Sequence, residues 1–121
     1  NRRNRQQVLN TTCDLCNNDP QTVSHLFTEC RTVENLRIQI SNDNLLFNRE
    51  NVLFGYKKNA GITGTVINII CSLFVIFIWK NRSNRNITFE SLKHFLNIWI
   101  SPIIKSKPKL HDLQNFLNEL D

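Results

Sequence analysis

At 121 residues the chain can build one hydrophobic core and is too short for two, so a single compact unit, or a small metal-stapled lobe joined to a helical one, is expected. Hydrophobic residues make up 40% of it and charged residues 21%, a balance that excludes a wholly disordered chain. Fifteen basic against ten acidic residues leave a formal charge of +5, which suits a polyanionic partner, although a solvated surface of scattered lysines gives the same count.

The first element in chain order is a basic arm over residues 1–12, carrying Arg2, Arg3 and Arg5. Its arginines and polar residues lack the order of charged, apolar and small residues that marks a signal peptide, so nothing in it points to secretion. The glycosylation pattern Asn-x-Ser/Thr at Asn10, Asn81 and Asn86 arises easily by chance in so Asn-rich a sequence.

Residues 13–30 read CDLCNNDPQTVSHLFTEC and hold three of the four cysteines and one of the three histidines. Cys13, Cys16, His25 and Cys30 form a C-x2-C-x8-H-x4-C pattern. A C-x-x-C turn points two sulfurs at one ion about 2.3 Å away, and a second pair folding back completes a tetrahedron, which is the chemistry of zinc. A disulfide leaves one of three sulfurs over and is the weaker account, as are free structural thiols. Four protein ligands leave no open coordination position, so one structural Zn2+ is expected rather than a catalytic one. Asn17 tolerates the positive φ that the residue after such a knuckle often needs, and Asp19-Pro20 makes a turn within the loop.

A first helix follows, with Ser24 as N-cap and Leu26, Val33, Leu36 and Ile40 along one face, so residues 13–40 form a zinc knuckle tied to a helix. Leu15 and Phe27 lie beside the ligands and either pack beneath the metal, the more economical reading, or stack on an unpaired base.

Residues 41–121 are expected to be a connector and a helical lobe packed with the knuckle as one domain. Leu45, Leu46 and Phe47, then Val52, Leu53 and Phe54, pin the connector to the core before Gly55 turns the chain and Lys57 and Lys58 add charge. Thr63 or Thr65 caps a helix from about Val66 to Lys80 that is apolar nearly all round, hence central. Its core VINIICSLFVIFIW, residues 66–79, is too short for a membrane span and is interrupted by Asn68 and Ser72. Cys71 within it reads as a small core residue rather than a fifth ligand.

Thr88 caps a further helix over FESLKHFLNIWI, with Leu92, Phe95, Leu96, Trp99 and Ile100 on one face and Pro102 at its end. A last helix begins near Pro108 or Lys109 with Leu110, Leu113, Phe116, Leu117 and Leu120 in register. His94 and His111 sit among charged neighbours and read as solvent-facing. The fold class is therefore mainly α, a CCHC zinc-knuckle lobe followed by a bundle of about four helices. No phosphate loop, H-E-x-x-H motif, nucleophile elbow or paired carboxylates occur, so no catalytic residue is assigned and the domain is not expected to be an enzyme.

With these residues in view, the sequence resembles the zinc-binding region that follows the polymerase domain in reverse transcriptases of non-LTR, LINE-like retrotransposons. The most specific match is C-D-L-C-x8-H-L-F-x-x-C at residues 13–30, with weaker echoes in V-L-F-G at 52–55 and I-W-K-N-R at 78–82. The chain departs from the family pattern at Asn17, where Gly is usual, at Arg31, where Pro is usual, and in lacking the Trp common in the next helix; none of these touches a ligand. The resemblance implies a piece of a larger polyprotein, the rest of that reverse transcriptase being one partner and nucleic acid another. It further implies a non-catalytic accessory role in gripping element RNA or target DNA during target-primed reverse transcription, in an intracellular setting, nuclear with a cytoplasmic ribonucleoprotein stage. Neither a membrane nor a small-molecule substrate is implied. The candidate nucleic-acid contacts are Arg2, Arg3, Arg5, Lys57, Lys58 and Phe27. The alternative is a structural or protein-interaction module that braces the polymerase or recruits a partner, for which an exposed apolar patch would speak.

Overall fold

The structure, a computed structural model, describes residues 12–16, 22–41, 48–56, 61–83 and 87–120. Its described residues form a π-helical turn, His25–Glu29, then α1, Arg31–Ser41, α2, Arg49–Phe54, α3, Gly61–Asn81, and α4, Phe89–Ser106. A 3-10 turn, Pro108–Leu110, leads into α5, Asp112–Leu120, and no strand is found among the described residues.

Helix α3 is the axis of the fold. Its most buried side chains, Phe74 and Ile78, lie at 0% exposure beside Leu92, Leu96 and Ile100 of α4 and Leu113 of α5. Helices α2 and α4 pack against it, α5 packs on α4, and α1 reaches α4 across the knuckle end. The Phe77 and Phe95 rings meet at 5.3 Å between centroids, and Phe95 meets Trp99 at 6.1 Å, so tilted aromatic contacts run from the core to the surface. Burial alone pushes the Cys71 thiol up to about 12, which agrees with its reading as a core residue.

The long helix begins earlier than its sequence pattern suggests. Thr65 Oγ1 donates to the Gly61 carbonyl one turn back, so Thr65 is helix interior and not a cap, and Thr63 likewise lies inside. Gly61 opens the helix at φ 58°, a left-handed conformation open to glycine at little cost, and buried Gly64 carries the packed face through the first turn. At 21 residues with a mean hydropathy of 2.3 in its most apolar window, α3 is long and apolar enough to cross a membrane, which corrects the length argument made above. Half of that window is buried inside the fold, as befits a core helix.

Thr88 and Ser91 form the expected cap of α4, each side chain bonded to the other's backbone N–H. Pro102 does not end this helix, which continues to Ser106. Proline removes one hydrogen bond, to the Ile98 carbonyl, and Ile98 lies on the exposed side where water can take its place. Ile103 and Ile104 pack against the core and hold the last turn.

The expected connector contains helix α2. Asn48 caps it by accepting from the Asn51 N–H at 2.9 Å, and Gly55 closes it at φ 84°. Arg49 then reaches back to α1: its Nη2 lies 2.7 Å from Glu34 Oε2, while Arg37 Nε donates to Glu34 Oε1 at 3.0 Å. The apolar cluster expected at Leu45, Leu46 and Phe47, the turn at Asn17 to Pro20, and the arm before Thr12 lie outside the described residues.

Candidate metal centre

The four predicted ligands come from three local structures, each set by its own sequence. Cys13 and Cys16 bracket a tight turn, and the Leu15 carbonyl in that turn accepts from Thr32 Oγ1 of α1 at 3.1 Å. This bond and the partly buried Leu15 side chain dock the C-x-x-C turn on the start of α1.

His25 follows a cap that the sequence reading assigned to the wrong residue. Ser24 makes no side-chain cap bond. Thr22 Oγ1 instead accepts from the His25 N–H at 2.9 Å, while the Thr22 carbonyl accepts from Leu26 N–H at 2.9 Å. Thr22 stands three residues before His25, the spacing of a side-chain cap, and that was the available signal.

The π-helical turn explains the four-residue gap between His25 and Cys30. On an α-helix, residues five apart point about 140° away from each other, which would aim the two ligands in different directions. Here the Cys30 N–H donates to the His25 carbonyl at 2.7 Å, an i→i+5 closure that stacks Cys30 over His25. Cys30 then turns extended, at φ −65° and ψ 123°, and α1 starts at the next residue. The backbone N–H groups of Thr32 and Val33 bond its sulfur, so Cys30 is at once a candidate metal donor and the N-cap of α1.

Together these place Cys13, Cys16, His25 and Cys30 so that one donor atom from each lies within 4.8 Å of every other. Cys13 Sγ and Cys30 Sγ are 3.8 Å apart, far beyond a disulfide bond and equal to the edge of a tetrahedron built on metal–sulfur bonds of about 2.3 Å. Cys16 Sγ and His25 Nε2 are 3.3 Å apart, which leaves Nδ1 facing the Glu29 carboxylate at 3.7 Å. That separation is longer than a hydrogen bond, so Glu29, a neighbour that motif spacing did not reveal, faces His25 as a nearby charge and does not fix its tautomer.

All four cysteines are free thiols. Cys13 is 0%, Cys30 1% and His25 3% exposed. Burial raises the Cys30 thiol well above the usual range and neighbouring Cys13 adds to the rise, whereas the Val33 and Thr32 N–H groups oppose it. Packed thiols of this kind without a cation are costly to ionise; a divalent ion among them would supply the missing charge. The donor chemistry and spacing therefore fit one metal ion and are compatible with zinc.

The other predicted site residues fare differently. Arg2, Arg3, Arg5, Lys57 and Lys58 lie outside the described residues. Phe27 is 7% exposed and packs into the core, which favours its packing reading over a base contact. His94 and His111 are exposed. Three large aromatics are exposed among the described residues, Phe54 at 67% and Trp99 at 50%, both expected to face the core, and Trp79 at 46%, with the Arg82 guanidinium 3.7 Å above its ring. Arg82 also donates to the Trp79 carbonyl and so closes the end of α3.

Fold and site define a small helical domain with a Cys3His cluster of four donors, three of them buried and Cys16 partly so. Comparison of the chain with family models, with curated proteins and with solved structures gave no match. The likeness to the retrotransposon zinc-binding region thus rests on the motif and the residues quoted with it.

Proposed function

We propose that this chain is a non-catalytic zinc-binding accessory domain of a non-LTR retrotransposon reverse transcriptase, which grips RNA template or target DNA during target-primed reverse transcription. The observation that carries the reading is the convergence of Cys13, Cys16, His25 and Cys30, since the motif those residues make is the most specific element of the resemblance. With all four positions supplied by protein, a bound zinc has no site for substrate or activated water and acts as a cross-link. It joins the C-x-x-C turn, the π-turn and the start of α1, and so fixes the head of the domain.

Two features support nucleic acid as the partner. The net charge of +5 draws a phosphate backbone, and binding by that charge releases counterions. Trp79 with Arg82 stacked on it and Lys80 beside it offers a π-face and cations together, the combination on which unpaired bases stack while their phosphates are held.

The test pairs metal analysis with titration of single-stranded RNA and duplex DNA at about 50 and 200 mM salt on one preparation. One zinc per chain and affinity falling steeply with salt are expected. Replacing Arg2, Arg3 and Arg5 by Ala should flatten the log–log salt slope by about 2 to 3 on duplex DNA. Affinity that does not change with salt, or a metal-free chain that binds as well as the zinc-loaded one, would overturn the reading.

A further inference from the structure

We infer that the outer face of α3 is a docking groove for an acidic amphipathic helix of another protein. Ile62, Thr65, Ile69, Ser72, Ile76 and Trp79 recur along α3 at alternating spacings of three and four, the period by which one helix meets another. Three of them remain substantially exposed although apolar: Ile62 at 47%, Ile76 at 43% and Trp79 at 46%.

The face is concave rather than flat. Three depressions of about 520, 450 and 630 Å3 lie along it. The first two share Asn68 and Ser72, and the last two share Thr65, Ile69 and Ile103, so they form one continuous trough. From Ile62 to Ile76 it runs about 21 Å at a helical rise of roughly 1.5 Å per residue, room for four turns of a partner helix. Small Thr65 and Ser72 alternate with the isoleucines and leave recesses into which a partner's side chains fit.

Charge selects the occupant. Lys107 and Lys109 border the trough at its Ile62 end, and among the described residues no Asp or Glu lines any of the three depressions. A second copy of this chain laid into the trough would bring no carboxylate from its own trough face to those lysines. A helix with an apolar face and acidic residues at one end satisfies both the recesses and the lysines, and the +5 net charge favours its approach. A planar bilayer matches the apolar residues but not the concavity. The inference does not depend on nucleic-acid binding.

The zinc-loaded full chain carrying Trp99→Phe keeps Trp79 as its single tryptophan, a reporter about one turn beyond Ile76 on the same face. It is titrated with a helical peptide of about 18 residues, leucines at the three–four spacing and glutamates in its first turn, and with a twin bearing lysines there. The acidic peptide should bind at least about tenfold more tightly than the basic one and shift Trp79 emission. Lys107→Glu with Lys109→Glu should reverse that preference. Ile62→Asn with Ile76→Asn, both exposed positions, should abolish binding while zinc content and helicity stay unchanged. Equal binding of the two peptides, binding of neither, self-association that Ile62→Asn disrupts, or a Trp79 shift with phosphatidylglycerol vesicles in place of the acidic peptide would each overturn the inference.

Discussion

Asn68 holds both main-chain groups of Tyr56: its Oδ1 accepts from the Tyr56 N–H at 2.6 Å and its Nδ2 donates to the Tyr56 carbonyl at 3.0 Å. A polar residue in the most apolar helix of the fold thus replaces the partners that the chain loses as it leaves α2. Replacing Asn68 by Ala leaves a partly buried donor and acceptor unpaired, and should lower unfolding stability by about 2 kcal/mol in urea titration. Replacing it by Leu should also destabilise, despite the added apolar surface. A more stable Leu variant would show that hydrophobicity, and not the Tyr56 backbone, decides this position.

Gly55, between α2 and Tyr56, has φ 84° and ψ 155°, where a side chain is strained whatever the space around it. A Cβ there would meet Asn68 Oδ1 at 3.4 Å, an ordinary contact, so the strain lies in the backbone. Gly55→Ala should cost about 1 to 3 kcal/mol, and the same amount with Asn68 already replaced by Ala. A cost that disappears in the Asn68→Ala background would assign it to the contact instead.

These two positions mark what could and could not be read from sequence. The four-donor cluster was legible because metal chemistry depends on a few residue types at short spacings, and α3 because an apolar surface nearly all round has no place but the core. Helix α2 was not, since RENVLF is too short to display a period; only Asn48, three before Asn51, hinted at its cap. The π-turn has no compositional signature, and its evidence is the His25 to Cys30 gap itself, which an α-helix cannot serve. Pro102 misled because a proline stops a helix only where the lost bond cannot be replaced by water. The apolar trough on α3 was hidden for a related reason, as a helix hydrophobic on all sides gives no sign of which side its neighbours leave uncovered.

Glu34 joins α1 to α2 through Arg49 and Arg37, whose hydrogen bonds, Arg49's first, lower its carboxyl from 4.5 to about 2. A depressed folded pKa means that the folded state binds fewer protons, so the stabilisation is present in full above pH 4.5. It shrinks as pH falls through that value and is gone below about 2. Arg49 is 54% exposed against 22% for Glu34, and screening limits the network to about 0.5–1 kcal/mol. Glu34→Gln should lose that amount at neutral pH, with the gap to the parent chain narrowing below pH 4.5. Measured with chelator present, so that no metal contributes, the difference in their urea midpoints isolates the carboxylate. A gap that widens on acidification would mean that the arginines stabilise something other than the Glu34 anion.

Cys30 serves two purposes that one pair of substitutions can separate. As a candidate metal donor its sulfur faces Cys13 at 3.8 Å, and as a cap it accepts the Thr32 and Val33 N–H groups that α1 would otherwise leave unbonded. Serine caps helices well but is a poor zinc ligand, whereas alanine does neither. Cys30→Ser and Cys30→Ala should therefore both lose stoichiometric zinc by elemental analysis, while Cys71→Ala, altering a thiol of the α3 core, retains it. Measured in chelator, where the metal contributes nothing, Cys30→Ser should exceed Cys30→Ala in stability by about 1 kcal/mol, the worth of an N-cap. Equal stability of the two in chelator would mean that α1 needs the metal before its first turn forms, and zinc retained by Cys30→Ser would remove Cys30 from the donor set.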